Sequence, residues 1–244
     1  MKRKTVLITG ASRGIGRAAA AAFAKAGYDL VLNCIHSEKE LRRFSLELEE
    51  DFHIQTLCCC GDIASYAFVC EMFEKVREFC QGVDILINNA GISYIGLLSE
   101  MHYEEWERML HTNLTSVFSC CKCAVPYMIS QKEGKIINIS SVWGISGASC
   151  EAAYSAAKGG VNALTRALAK ELAPSNIQVN AVACGVIDTD MNAALDLSER
   201  KSLENEIPAG YFAKPEEVAA FLCQLVLAPS YLTGQVIRFD GGWL

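Results

Sequence analysis

Tyr154 and Lys158 stand four residues apart in the run "AAYSAAKGGV". The surrounding alanines favour a helix, and positions i and i+4 of a helix share one face. A phenol and an ammonium in one small volume suit proton transfer, because a nearby cation favours tyrosinate over tyrosine. A surface Tyr–Lys pair without a role has the same spacing, so the rest of the chain must decide. A second cluster lies near the start, where "TGASRGIG" places Gly10, Gly14 and Gly16 directly after the apolar run "TVLI". Glycines let a backbone turn tightly and approach a pyrophosphate seated at a helix N-terminus. No Gly-Lys-Ser/Thr follows, so the turn is not a P-loop.

The elements that must position these groups alternate between short β-rich runs and longer helical ones. Strands are expected at 5–10, 29–34, 54–60, 84–91, 134–141, 177–185 and 234–242. Helices are expected at 16–27, closed by Gly27, and at 37–52, 65–80, 103–130, 152–173 and 215–227. Pro126 marks a kink in the long fourth helix, and 188–206 reads as a polar segment. Strands separated by helices mean βαβ units and a parallel sheet covered on both faces. The weakly alternating, β-branched strands fit that burial. The expectation is one α/β domain over 1–244, a doubly wound Rossmann fold with a seven-stranded parallel sheet. Its ligands would lie at the carboxyl ends of the strands.

Composition narrows the function. The 244 residues are 51% hydrophobic and carry a net charge of −6 without a basic cluster, which argues against nucleic acid as a partner. No run reaches membrane-spanning length. The apolar part of the N-terminus is too short for a signal sequence, so a cytoplasmic location is expected. The twelve cysteines sit among apolar neighbours, as in "TLCCCGD" and "FSCCKCAV". Cys120 and Cys123 form a C-x-x-C without a second pair to complete a zinc site. Buried thiols in a reduced compartment are the simpler reading, and no metal is expected.

The nucleotide can be argued from the end of the second strand. NAD sites usually carry an acid there, bonded to the ribose 2′-OH. This chain has Asn33, Cys34, Ile35 and His36, and Asp29 lies at the wrong end. Arg13 in the glycine turn is placed to meet a 2′-phosphate, which favours NADP; an ordinary exposed loop arginine is the alternative.

"TGASRGIG", "NNAG", "TNL", "ISS" and "YSAAK" occur in the order and at the spacing of the short-chain dehydrogenase/reductase family, which the chain resembles from its first strand to "DGG". The resemblance implies a catalytic tetrad of Asn113, Ser141, Tyr154 and Lys158. Tyr154 would act as general acid in reduction and as base in oxidation. Its ordinary pKa of about 10 is high for that task, and Lys158 with the oxidised nicotinamide would lower it. Lys158 would also bond the nicotinamide ribose. Ser141 would polarise the substrate carbonyl, with Ser140 pointing elsewhere. Asn113 would hold a water linked to Lys158, or simply bond to backbone, and its mid-helix position would mark a local helix distortion. The resemblance assigns cofactor contacts to Gly10, Ser12, Arg13, Gly14, Ile15 and Gly16, and to Ile35. It adds Asp62 and Ile63 at the adenine, Asn89, Ala90 and Gly91 of the "NNAG" turn, and Ile187 and Thr189 at the carboxamide. Cys184-Gly185 replaces the family's usual Pro-Gly, which raises oxidation of that thiol as a possibility.

Within the family the likeness is greatest to bacterial 3-oxoacyl-acyl-carrier-protein reductases, through "EEWERMLHTNLTSVF", "IPAGYFAKPEEVA" and "YLTGQVIRFDGG". That implies NADPH-dependent reduction of a 3-oxoacyl thioester in fatty-acid synthesis by a homotetramer. Lys132 aligns with one basic docking position for the acidic carrier protein, Ser175 stands where an arginine is found, and Arg166 and Lys170 lie nearby. "ISYIGLLSEM" lacks the group's Arg-Asp-Asn run. A reductase of another carbonyl, such as a sugar, a steroid or a small ketone, stays open. So does a non-catalytic nucleotide-binding regulator or scaffold, which the intact Tyr–Lys pair disfavours.

Overall fold

The computed structural model describes residues 3–193 and 195–244; Met1, Lys2 and Ala194, which the domain expectation included, lie outside them. The chain alternates β1 (Thr5–Ile8), α1 (Gly14–Lys25), β2 (Asp29–Cys34), α2 (Glu38–Phe52), β3 (Thr56–Cys60), α3 (Tyr66–Cys80) and β4 (Ile85–Asn88). It continues through α4 (Tyr103–Leu110), α5 (Ser116–Gln131), β5 (Gly134–Ser141), α6 (Trp143–Ser146) and α7 (Ala152–Leu172). The last elements are β6 (Ile177–Cys184), α8 (Leu197–Glu206), α9 (Pro215–Leu227) and β7 (Val236–Phe239).

The strands form one seven-stranded sheet in the order β3-β2-β1-β4-β5-β6-β7, and every pairing is parallel. Alternate side chains go to opposite faces. Val6, Ile8, Ile85 and Ile87 pack with α1, α2 and α9 in one core. Leu7, Leu86, Ile136 and Val179 pack with α3, α5 and α7 in the other. Burial on both sides explains why the strands read as apolar runs. Strand order reverses between β1 and β4, so the loops after these two strands diverge and leave a crevice at their carboxyl ends.

The expected helix over 103–130 is interrupted, although not at Pro126. A π-helical turn, His111–Thr115, separates α4 from α5. α5 continues through Pro126, which is exposed, so the carbonyl it leaves unbonded can reach water. The polar segment 188–206 contains a helix that apolar periodicity did not signal. α8 has no buried residue, and Asp196 and Glu199 form its capping box. Gly27 follows α1 with φ of +85°, as its expected role as a helix stop requires.

Candidate active site

The glycine turn forms as its spacing requires. Gly10 and Gly14 have φ of +65° and +53°, which most other residues avoid. A Cβ on Gly16 would lie 2.2 Å from the Gly10 carbonyl oxygen, so only glycine lets the turn close onto α1. The "NNAG" turn braces it from the side. Asn89 Nδ2 donates to the carbonyls of Thr9 (2.9 Å) and Gly10 (3.1 Å). Thr9 Oγ1 accepts from the backbone N–H groups of Asn89 and Ala90, both at 3.0 Å. Thr9 is a support that the sequence motif did not flag.

The reacting groups gather where β5, α7 and the π turn meet. Ser140 and Ser141 end β5 and point apart: Ser140 Oγ donates to Asn162 Oδ1 at 2.7 Å, whereas Ser141 hydrogen-bonds the Tyr154 phenol. Ser141 Oγ also accepts from the Trp143 backbone N–H at 3.2 Å. Lys158 is buried, and its Nζ donates to the Ile139 carbonyl at 2.8 Å and lies 5.6 Å from the centre of the Tyr154 ring. Buried side chains pin α7 to the sheet. Asn88 donates to Asn138 (2.9 Å), Asn138 to Thr165 (2.8 Å), and Asn162 to the Gly144 carbonyl (2.9 Å). Sequence reasoning missed Asn138, Asn162 and Thr165, whose signal was polar residues among apolar ones in a strand and a helix.

Burial governs the electrostatics. It pushes the Tyr154 phenol well above its ordinary pKa, with the Ser141 hydrogen bond a partial offset. It pulls Lys158 down to about 8. The expected lowering of the tyrosine by Lys158 is therefore not the dominant effect; burial is. The lysine is itself driven toward neutrality, and the phenol is held in its protonated form. Burial raises the Cys184 thiol to about 12, which leaves little reactive thiolate for the oxidation raised from sequence.

Asn113 sits on the π turn, the local distortion that its mid-helix position suggested. Its Nδ2 donates to the carbonyls of Ile92 and Met109 and its Oδ1 accepts from the Ile92 N–H, each at 3.0 Å. Both amide hydrogens are thus committed to backbone, which leaves the second lone pair of Oδ1 and the Asn113 backbone carbonyl as the acceptors open to a water. Gly91 fits beneath: a Cβ there would lie 2.7 Å from Asn113 Oδ1 and 3.6 Å from Lys158 Nζ.

The other assigned residues lie at or just beyond the carboxyl ends of β1, β2, β3 and β6. Ser12 is partly buried, and Ile15 packs against the core. Ile35 is 50% exposed at the end of β2. Asp62 Oδ1 accepts from the Ala64 N–H at 2.9 Å, and the Ile63 side chain is in the core, which leaves its backbone as the part able to face a ligand. Ile187 is buried. Thr189 lies over the glycine turn, its Cγ2 3.3 Å from where a Gly14 Cβ would stand. Arg13 reaches Asp190 at 3.8 Å across the same gap.

The family model for short chain dehydrogenases matches residues 4–200. The chain belongs to the short-chain dehydrogenase family. It is 40% identical to a 3-oxoacyl-[acyl-carrier-protein] reductase of Thermotoga maritima, over 99% of this chain and 98% of the relative. It is 38% identical to the protein of the same name from Aquifex aeolicus, with the same coverage. Among solved structures, a putative gluconate dehydrogenase from Agrobacterium tumefaciens superposes with a TM-score of 0.92 at 35% identity, covering 98% of this chain and 95% of that one.

Family membership implies a nicotinamide cofactor, and the residues present fit one. The start of α1 has no side-chain cap and no acid in its first turn, so its free N–H groups and positive dipole end are available to a pyrophosphate. None of the twelve cysteines forms a disulfide, and the described residues contain no cluster able to hold a metal. No described helix is long and apolar enough to cross a membrane.

Proposed function

We propose that this short-chain dehydrogenase reduces 3-oxoacyl thioesters, carried on acyl carrier protein, to their 3-hydroxyacyl forms with NADPH. The observation that carries the reading is a Tyr154 held protonated by burial and hydrogen-bonded to Ser141, in a chain that aligns end to end with two relatives so named. When bound, the nicotinamide supplies the hydride. As the carbonyl carbon is reduced, negative charge grows on its oxygen. Ser141 donates a hydrogen bond to that oxygen, and Tyr154 gives it a proton. The β5–α7 contacts through Asn138 and Asn162 hold the two hydroxyls in register.

The end of β2 supports NADP. The Asn33 amide is buried and donates to the carbonyls of Cys59 (3.0 Å) and Gly61 (3.2 Å), so no acid there claims a ribose 2′-OH. Arg13 is exposed and pairs with the exposed Asp190 at 3.8 Å, a weak pairing from which it can turn to a 2′-phosphate. Subunits would pair through α4–α5 and α7, where Phe118 and Ile129 stand exposed, and the pairs would join into a tetramer by C-terminal contacts. The neighbouring gluconate dehydrogenase fold favours a second reading, oxidation of a sugar acid.

The test is NADPH consumption with acetoacetyl thioesters of carrier protein and coenzyme A, beside gluconate with NADP. Turnover of the carrier-protein thioester, lost in Tyr154→Phe, supports the reading. Turnover of gluconate alone keeps the proton relay and discards the thioester.

A further inference from the structure

Two indoles, Trp143 and Trp243, belong to neither core. Trp143 is two residues beyond Ser141, and its backbone N–H holds the Ser141 oxygen at 3.2 Å. Its side chain hydrogen-bonds Glu151, the residue just before α7, whose charge acts on Tyr154. The Trp143 side chain therefore spans from the strand end bearing Ser141 to the helix start bearing Tyr154. Trp243 packs edge-on against Trp143 with ring centres 4.9 Å apart. The segment bearing Trp243 is itself fixed: Asp240 carboxylate oxygens accept from the N–H groups of Gly242 (3.0 Å) and Leu244 (3.3 Å), and Gly241 O accepts from Ala209 N–H (3.1 Å). Both rings are partly exposed, so they face an opening rather than the interior.

We infer that Trp143, held by Glu151 and backed by Trp243, is a wall that limits the length of the acyl chain the site accepts. The inference rests on the thioester reading. A chain long enough to reach the indole pair must displace two large rings that are anchored at both ends, whereas an acetoacetyl group is short. Glu151 acts as a positioning residue, through the hydrogen bond that fixes the first ring.

The test compares kcat/KM for acetoacetyl and 3-oxodecanoyl coenzyme A with the full chain. The wild type is expected to prefer acetoacetyl. Trp143→Ala should raise the ratio of long to short substrate at least about tenfold, the scale at which pocket size discriminates. Trp243→Ala, in a partly exposed segment whose loss leaves both cores intact, should move the ratio the same way by less. Glu151→Gln keeps an acceptor for the indole and should retain the wild-type ratio; Glu151→Ala should shift it toward that of Trp143→Ala. Unchanged ratios in both tryptophan variants, with acetoacetyl turnover retained, would overturn the wall. No turnover of either thioester by the wild type would overturn the thioester reading and the wall together.

Discussion

Lys158 is a group whose function works against stability. Its folded pKa of about 8 lies below the ordinary 10.5, so the unfolded chain binds the extra proton between those values. The penalty is full below about pH 8 and fades as pH rises toward 10.5. Lys158→Met should abolish turnover yet melt no lower than the wild type near pH 7, with a gain of at most about 3 kcal/mol; calorimetry at pH 7 and 10 checks both the gain and its disappearance. The same shift predicts that kcat/KM for carbonyl reduction by the wild type falls as pH rises past about 8, where the ammonium of the free enzyme loses its proton, and a pH profile of kcat/KM reads it. Tyr154→Phe removes the proton donor but little packing and should cost on the order of 10²–10⁴-fold in kcat, with an unchanged melting temperature. These residues were legible because glycine spacing and the Tyr–Lys offset are local. The direction of the tyrosine's shift was not, because burial is decided by elements distant in the chain.

At the scale of elements, legibility followed the apolar pattern. The strands and the long helices announced themselves because each buries a face. α8 buries none, so its only signal was the Asp196–Glu199 cap, which a reading based on apolar periodicity passes over. α6 is a single short turn whose fit depends on Gly144. A Cβ there would lie 2.6 Å from the Lys158 carbonyl carbon, a backbone atom that can yield only if α7 moves. Gly144→Ala should therefore lower stability by about 1–3 kcal/mol and kcat with it, measured by thermal denaturation beside steady-state rates. Asn113 was legible in its oddity, a poor residue for a helix interior, although sequence alone could not say that the distortion would be a π turn.

Across the whole molecule, strand–helix alternation made the doubly wound sheet readable, while the substrate side stayed obscure because it is built from loops and tail segments far apart in the chain. Charge offers a test at this scale. The protein is acidic overall, with a net charge of −6, so on the proposed reading an acidic carrier protein would dock through local cations such as the exposed Lys132, Arg166 and Lys170. KM for the carrier-protein substrate should rise with ionic strength while KM for the coenzyme A thioester changes less, because screened surface attractions weaken first. Lys170→Glu should repeat that split at fixed salt. The π turn, finally, makes residue counting matter. It absorbs an extra residue in one wide turn of an otherwise continuous rod, so deleting any single residue between 111 and 115 would heal the helix while α4 and α5 keep nearly the same faces toward their neighbours. Both helices rest on α7, so a chain one residue shorter there would keep its seam against the helix that carries Tyr154 and Lys158 while losing the wide turn on which Asn113 sits.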